Sequence, residues 1–280
     1  MGDTREFDSA KAYAEQEEIY FDDGREAEML AHILSRPDLE DIRGSPRKVL
    51  AAIDDFGMKR YLMNVGQEKG AIVVKEIASV KPKVMVELGG YVGYSAILFA
   101  DAVRAAGGTQ YVCLEHNAEF ASIIRRLCEL AGLGKLVTVV VGDSAASLRR
   151  LKTEGLFTQI DLLFLDHYKP FYLRDIKLCE ELGFVKPGTT LVADNVIKPG
   201  NPPYLAYVRG TVEQKKADLA SVDASRSADG QTSKTQSETD PSGNPALIYE
   251  SRLVKSFEPT GIPDGLEISH CVGLAAADAS

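Results

Sequence analysis

The chain contains no tryptophan, only four cysteines and four histidines, and fewer bases than acids. With 32 Lys and Arg against 41 Asp and Glu, its formal net charge is −9. Binding to a nucleic-acid backbone or an anionic membrane draws on surplus positive charge, so neither partner is expected. No apolar run approaches the roughly 18 residues of a membrane-spanning helix. The stretch Met1 to Glu18 is polar and acidic and lacks the basic and apolar regions of a secretory signal. Gly2 is followed by Glu6 where myristoylation prefers Ser or Thr. Cys113, Cys128, Cys179 and Cys271 form no C-x-x-C pair, which argues against a zinc site or a dense disulfide framework. Reduced, buried thiols in a cytoplasmic protein are the expectation.

What remains is an ordinary globular composition, 45% hydrophobic and 26% charged over 280 residues. That length can bury a core without staples. Residues 1–24 carry eight acids and two bases with no apolar period, and are expected to be a mobile acidic arm. Helical spacing begins at Arg25 and runs to Leu34. Ser45-Pro46 starts another helix, with Ser as cap and Pro at the first turn. A third runs from about Gln67 to Val80, closed by Lys81-Pro82. From Val84 onward, short apolar runs alternate with helical stretches. The runs are 84–88, 111–114, 137–141, 162–165 and 190–193. Apolar strands separated by helices imply a parallel sheet covered on both faces. Between Val212 and Leu247 the only large apolar residues are Leu219 and Val222, so a disordered polar insertion is expected at about 213–245. Strand character returns at 247–257 and 266–272, suggesting an antiparallel pair at the sheet edge. Residues 25–280 therefore read as one domain. The arm and the insertion carry −6 and −2, which leaves the core near −1.

Ligands of open α/β sheets bind beyond the carboxyl ends of the strands. The five strand exits read Glu87-Leu88-Gly89-Gly90-Tyr91-Val92-Gly93-Tyr94-Ser95, Glu115-His116, Gly142-Asp143-Ser144, Asp166-His167-Tyr168-Lys169 and Asp194-Asn195. Helix capping accounts for one or two of these, with Ser95 and Ser144 the simplest cases. Tyr91 stands where a pyrophosphate loop needs its second glycine, which argues against a dinucleotide. Glu87 suits a cationic ligand instead, and an acid at the position of Glu115 typically takes ribose hydroxyls. Asp166, Asp194 and Asn195 offer three oxygen donors from two neighbouring strands, the ligand type that Mg²⁺ takes. The competing reading is that both aspartates cap the turns that follow. Lys169, three residues after Asp166, is near enough to serve as a base.

Taken together, these residues resemble the catechol O-methyltransferase family of S-adenosylmethionine-dependent enzymes. The matching stretches are Met63-Asn64-Val65-Gly66, the Glu87 to Ser95 loop, Phe164 to Lys169, Ala193 to Ile197 and Leu205 to Gly210. They fall between about Arg25 and Gly210, and the likeness resumes at Phe257-Glu258 and Asp264-Gly265-Leu266-Glu267. The resemblance implies a three-layer αβα, Rossmann-like class I methyltransferase fold, with a seven-stranded mixed sheet and an antiparallel strand near its edge. It implies transfer of a methyl group from S-adenosylmethionine to one hydroxyl of a catechol, with Mg²⁺ as the second cofactor. Another vicinal-diol aromatic, a hydroxycinnamoyl thioester or a flavonoid, is the alternative acceptor.

Residue by residue, the resemblance makes Asp166, Asp194 and Asn195 the metal ligands. Lys169 would be the base and Glu258 the partner of the second hydroxyl. Met63, Val65, Gly89 and Asp166 would line the cofactor site, with Glu87, Tyr91 and Ser95 on the methionine part of the cofactor. Glu115 would grip the ribose, and His116, Ser144, His167 and Tyr168 would surround the adenine. Tyr61, Asp166, Lys169, Asn195, Pro199 and Glu258 would form the acceptor site. A monomer is expected, with a homodimer as the alternative. Tyr61 and Tyr168 replace tryptophans common in the family, His116 replaces an apolar residue, and the polar insertion is longer. These departures leave the chemistry and bear on the acceptor.

Overall fold

The computed structural model describes residues 6–228 and 240–276. Four helices precede the sheet: α1 (Arg25–Leu34), α2 (Leu39–Ile42), α3 (Pro46–Gly57) and α4 (Gly66–Val80). Ser45 caps α3 by accepting the Lys48 amide, with Pro46 in the first turn, as its sequence predicts. Strands and helices then alternate through β1 (Val84–Leu88), α5 (Tyr94–Ala105), β2 (Gln110–Glu115), α6 (Ala118–Leu130), β3 (Val137–Val141) and α7 (Ser144–Glu154). They continue through β4 (Leu162–Leu165), α8 (Tyr172–Glu181), β5 (Thr190–Ala193), α9 (Pro202–Arg209) and α10 (Val212–Ala228), and close with β6 (Leu247–Phe257) and β7 (Pro263–Leu274).

The seven strands lie in the order β3-β2-β1-β4-β5-β7-β6. The first five are parallel, and β7 runs antiparallel between β5 and β6. This is the expected mixed sheet. Strand order reverses between β1 and β4, which opens a crevice at their carboxyl ends. Alternate residues feed two cores. Met85 and Phe164 pack with α1 and α3 to α6, while Val86, Leu88, Leu163 and Leu165 pack with α7 to α9. Each fully buried leucine contributes about 1.5–3 kcal/mol of apolar transfer. Among the described residues no helix is long and apolar enough to cross a membrane.

Two expectations change. Residues 6–24 are not a free arm. The Tyr13 ring is buried against Gly57, where an added Cβ would lie 2.5 Å from it. Its hydroxyl donates to Asp54 at 2.6 Å and its amide to the Pro259 carbonyl at 2.9 Å. The composition conceals this because the partners lie far away in sequence. Residues 1–5 of the expected arm lie outside the described residues.

The second change concerns the polar insertion. Its first part is α10, anchored where the buried Lys215 donates to the Leu247 carbonyl. The Lys215 ammonium sits 5.3 Å from the Tyr207 ring centre and 5.0 Å from that of Tyr249. Its last part is held where Ser242 and Asn244 amides donate to Glu181 and Glu180. Residues 229–239 of the expected insertion lie outside the described residues.

Candidate active site

The exits of β1, β2 and β4 form one wall of the crevice. After β1 the chain turns at Gly89, whose φ is +86°. A Cβ there would meet the Asp166 carbonyl oxygen at 2.6 Å and His167 Cα at 2.8 Å, so glycine lets the β1 and β4 exits touch. Tyr91 holds a left-handed φ of +47°, and its hydroxyl donates to Glu26 at 2.8 Å. Glu115, at the end of β2, accepts the amides of Gly90, Tyr91 and Asn117 at 2.8–3.0 Å. It thereby ties the β1 loop to β2, while its charge faces the crevice. His116, next along, is exposed.

Glu87 is fully buried on β1, where the Ser95, Tyr111 and Cys113 side chains are its polar neighbours. Burial pushes its carboxyl up to about 7. Ser95 lies buried in the first turn of α5. It does not cap that helix, because Gly93 occupies the cap position.

Ser144 does not cap α7 either; Asp143 does, by accepting the Ala146 amide at 3.0 Å. The Ser144 hydroxyl donates instead to Asp175, a buried carboxylate that also meets His167 Nε2 at 2.9 Å and Arg174 Nε at 2.6 Å. His167 stacks on Tyr172 at 5.0 Å, and burial lowers its pKa. Its Nδ1 is buried without a partner. Tyr168 is 66% exposed and leans edge-on against Phe171. Asp175 thus aligns Ser144 and His167 from beneath, a role its sequence position conceals.

The exits of β4 and β5 form the second wall. Lys169 Nζ donates to Asp166 Oδ1 and to the Tyr172 hydroxyl, both at 2.9 Å. That hydroxyl donates in turn to the Leu165 carbonyl at 2.7 Å. Asn201 Nδ2 holds the Lys169 carbonyl at 2.7 Å. Burial pushes the Asp166 carboxyl up to about 6, against the lowering effect of Lys169. Asn195 adopts a left-handed φ of +57°. Its Nδ2 donates to Glu258 at 2.6 Å and to Asp264 at 3.0 Å.

At the centre lies a residue that the motifs did not single out. Lys69 on α4 is wholly buried, with Nζ 2.6 Å from Asp194, 2.7 Å from Glu258 and 3.2 Å from Asp264. Burial disfavours its charge, but these three carboxylates outweigh that and raise its pKa well above the usual lysine range. Asp264 also accepts the amides of Ile197 and Lys198, which fixes the β5 exit. The Glu258 carboxyl is raised by burial. A signal for Lys69 existed in the sequence. It falls in the buried stripe of Gly66, Gly70, Val73 and Ile77, where a lysine needs partners.

Of the residues expected on the acceptor side, Tyr61 is buried and Pro199 is exposed after a cis Lys198–Pro199 bond. Met63 is half-buried and Val65 buried on the segment leading into α4.

Asp166, Asp194 and Asn195 are the expected metal set. Lys69 and the Asn195 amide occupy Asp194 Oδ1, and Lys169 occupies Asp166 Oδ1. The second oxygen of each, and Asn195 Oδ1, bond to no described residue. Three such oxygens fit a hard divalent cation. Among the described residues no group of three His, Cys, Asp or Glu side chains is placed to hold a metal, and this set has only two carboxylates.

A family model described as a methyltransferase domain matches residues 86–196. The chain is 41% identical to the bovine protein named catechol O-methyltransferase over 187 residues, 66% of either chain. It is 41% identical to the mouse protein of that name over 169 residues, 60% of this chain and 63% of the relative. It therefore spans just under two thirds of these two relatives. The zebrafish catechol O-methyltransferase B is 40% identical over 190 residues, 67% of this chain and 71% of the relative. Among solved structures, an O-methyltransferase from Bacillus cereus in complex with SAH shares the fold. Its TM-score is 0.53 at 19% identity, covering 87% of this chain and 96% of that one.

Proposed function

Because the chain belongs to the catechol O-methyltransferase family, we propose that it transfers a methyl group from S-adenosylmethionine to one hydroxyl of a catechol, with Mg²⁺ in the site. The observation that carries this reading is the convergence of Asp166, Asp194, Asn195, Lys169 and Glu258 at the exits of β4 and β5. Asp166, Asp194 and Asn195 would hold the metal. When bound, a divalent cation chelates neighbouring oxygens and lowers the pKa of a coordinated hydroxyl.

The chain's own residues do the rest. Glu87, a buried carboxyl, pairs with the cationic amino group of the methionine part. Met63, Val65, Gly89, Tyr91, Ser95 and Asp166 shape that end. Glu115 takes the ribose hydroxyls, and His116, Ser144, His167 and Tyr168 frame the adenine. Lys169 takes the proton of the attacking hydroxyl. Tyr172 and Asp166 hold its Nζ in place for that step. Lys69 and Asn195 both donate to Glu258 Oε1 and orient that carboxyl toward the second hydroxyl. Tyr61 and Pro199 wall the acceptor ring. Holding nucleophile and methyl donor in line supplies much of the rate. The four cysteines, all free and buried, suit the reducing cytoplasm in which we place the reaction.

The test is to incubate the protein with S-adenosylmethionine, Mg²⁺ and a panel of catechols, including a flavonoid and a hydroxycinnamoyl thioester, with and without chelator. Methylated catechol is expected only without chelator, and Asp194→Ala should abolish it. Transfer to no catechol, or full turnover in chelator, would overturn the reading.

A further inference from the structure

The family resemblance begins at about Arg25, yet the structure carries residues 6–24 across the acceptor side of the site. The segment is docked at three points. Phe7 packs 5.7 Å from the Phe257 ring, over Gly261, where an added Cβ would lie 2.8 Å from it. Tyr13 fills the space that Gly57 leaves, and its amide holds the Pro259 carbonyl, next to Glu258. Arg25 is the third point. Its buried guanidinium donates to the Ile19 carbonyl and to the Tyr61 carbonyl, both at 2.8 Å, and pairs with Glu17 and Asp23. A further bond, from the Asp22 amide to Glu26, ties the segment to the carboxylate that receives the Tyr91 hydroxyl.

These anchors deliver one aromatic side chain to the acceptor wall. The Tyr20 ring lies edge-on to Tyr61 with centres 5.9 Å apart, backed by Phe21 at 5.2 Å. Tyr61 in turn is buried, and its carbonyl is held by Arg25. Its phenol is raised first by burial and then by the negative charge of Glu258, with Asp166 also contributing. Tyr20 is half-buried and makes no hydrogen bond that the fold requires, whereas Phe7, Tyr13 and Arg25 secure the segment without it.

We propose that Tyr20 is a specificity-determining residue, a fixed outer wall that narrows the acceptor site beyond Tyr61 and favours single-ring catechols over those with bulky ring substituents. This inference rests on the catechol methyl-transfer reading above. Removing the ring opens space next to Tyr61 while the three anchors stay in place. A change of this kind in an apolar wall shifts discrimination by about 10- to 200-fold.

The experiment measures kcat/KM of the full chain for a single-ring catechol and for a flavonoid catechol, at fixed Mg²⁺. Tyr20→Ala should raise the flavonoid-to-single-ring ratio by about 10-fold or more, with KM for S-adenosylmethionine unchanged. Tyr20→Phe, which keeps the ring, should retain the wild-type ratio. Thermal melts of both variants should match the wild type. A Tyr20→Ala ratio within about 2-fold of wild type, below the range for a lost apolar wall, refutes the wall. A wild type that methylates neither catechol refutes the proposed function instead, and the two failures are distinct.

Discussion

Replacing Lys69 with methionine removes the buried cation that three carboxylates share and keeps most of its apolar stem. At an effective dielectric of about 20, each contact near 3 Å is worth roughly 5 kcal/mol of attraction, much of it offset by desolvation. Breaking a buried ion pair by removing one partner costs a net of about 3–5 kcal/mol. At roughly 2–4 °C per kcal/mol for a chain of this size, the melting temperature should fall by roughly 6–20 °C. The pH dependence has a definite sign. The raised pKa of Lys69 keeps its stabilisation present through neutrality and removes it only as pH rises through that value. Without the lysine, Asp194, Glu258 and Asp264 repel one another, and protonation relieves that repulsion. The gap between variant and wild type should therefore be larger at pH 8 than at pH 5. Differential scanning calorimetry in chelator, at both pH values, measures this. A variant melting within about 2 °C of wild type at pH 8, a loss of 1 kcal/mol or less, would show that Lys69 does not balance the acid cluster.

Further predictions concern the crevice and the core. Glu87, with a carboxyl raised to about 7 from 4.5, contributes stability that is full at low pH and lost as pH rises through about 7. Glu87→Gln should flatten the urea-unfolding free energy between pH 5 and 8 by on the order of 3 kcal/mol. The same variant should weaken S-adenosylmethionine binding in calorimetric titration; unchanged affinity would remove Glu87 from the cofactor site. Gly89→Ala forces a Cβ into the Asp166 backbone at a positive φ, and should destabilise by about 1–3 kcal/mol in denaturant melts. Leu163→Ala, in the core under α7 and α8, should cost about 2–5 kcal/mol and leave KM for the acceptor unchanged in the fraction that folds.

Sheet and crossover helices were legible because each strand is a short apolar run closed by a polar exit, and each exit lies in the crevice. Position along the chain thus predicted that Glu115, Asp166 and Asp194 lie at the carboxyl ends of the parallel strands. Lys69 and Asp175 stayed hidden for the opposite reason. Each is a charged residue in or beside a regular element, and only folding surrounds it with partners from other elements. Tyr13 hid in the same way: its partners Asp54, Gly57 and Pro259 are distant, and the acidic residues around it suggested solvent. The insertion misled because one buried lysine between two tyrosines anchors the start of α10, a contact that composition does not register.

The Tyr13–Pro259 bond also orders events in time. During synthesis, Tyr13 emerges long before the turn that accepts its amide, and β6 and β7 must pair before that turn exists. The sheet halves that carry Glu87 and Asp166 can assemble earlier, from contacts closer together in the chain. A chain ending after β5 would lack Glu258 and the turn that receives the Tyr13 amide, while the partners of Arg25 and Tyr20 would still be present. The bond between Tyr13 and Pro259 thus joins the two far ends of the described chain next to Glu258.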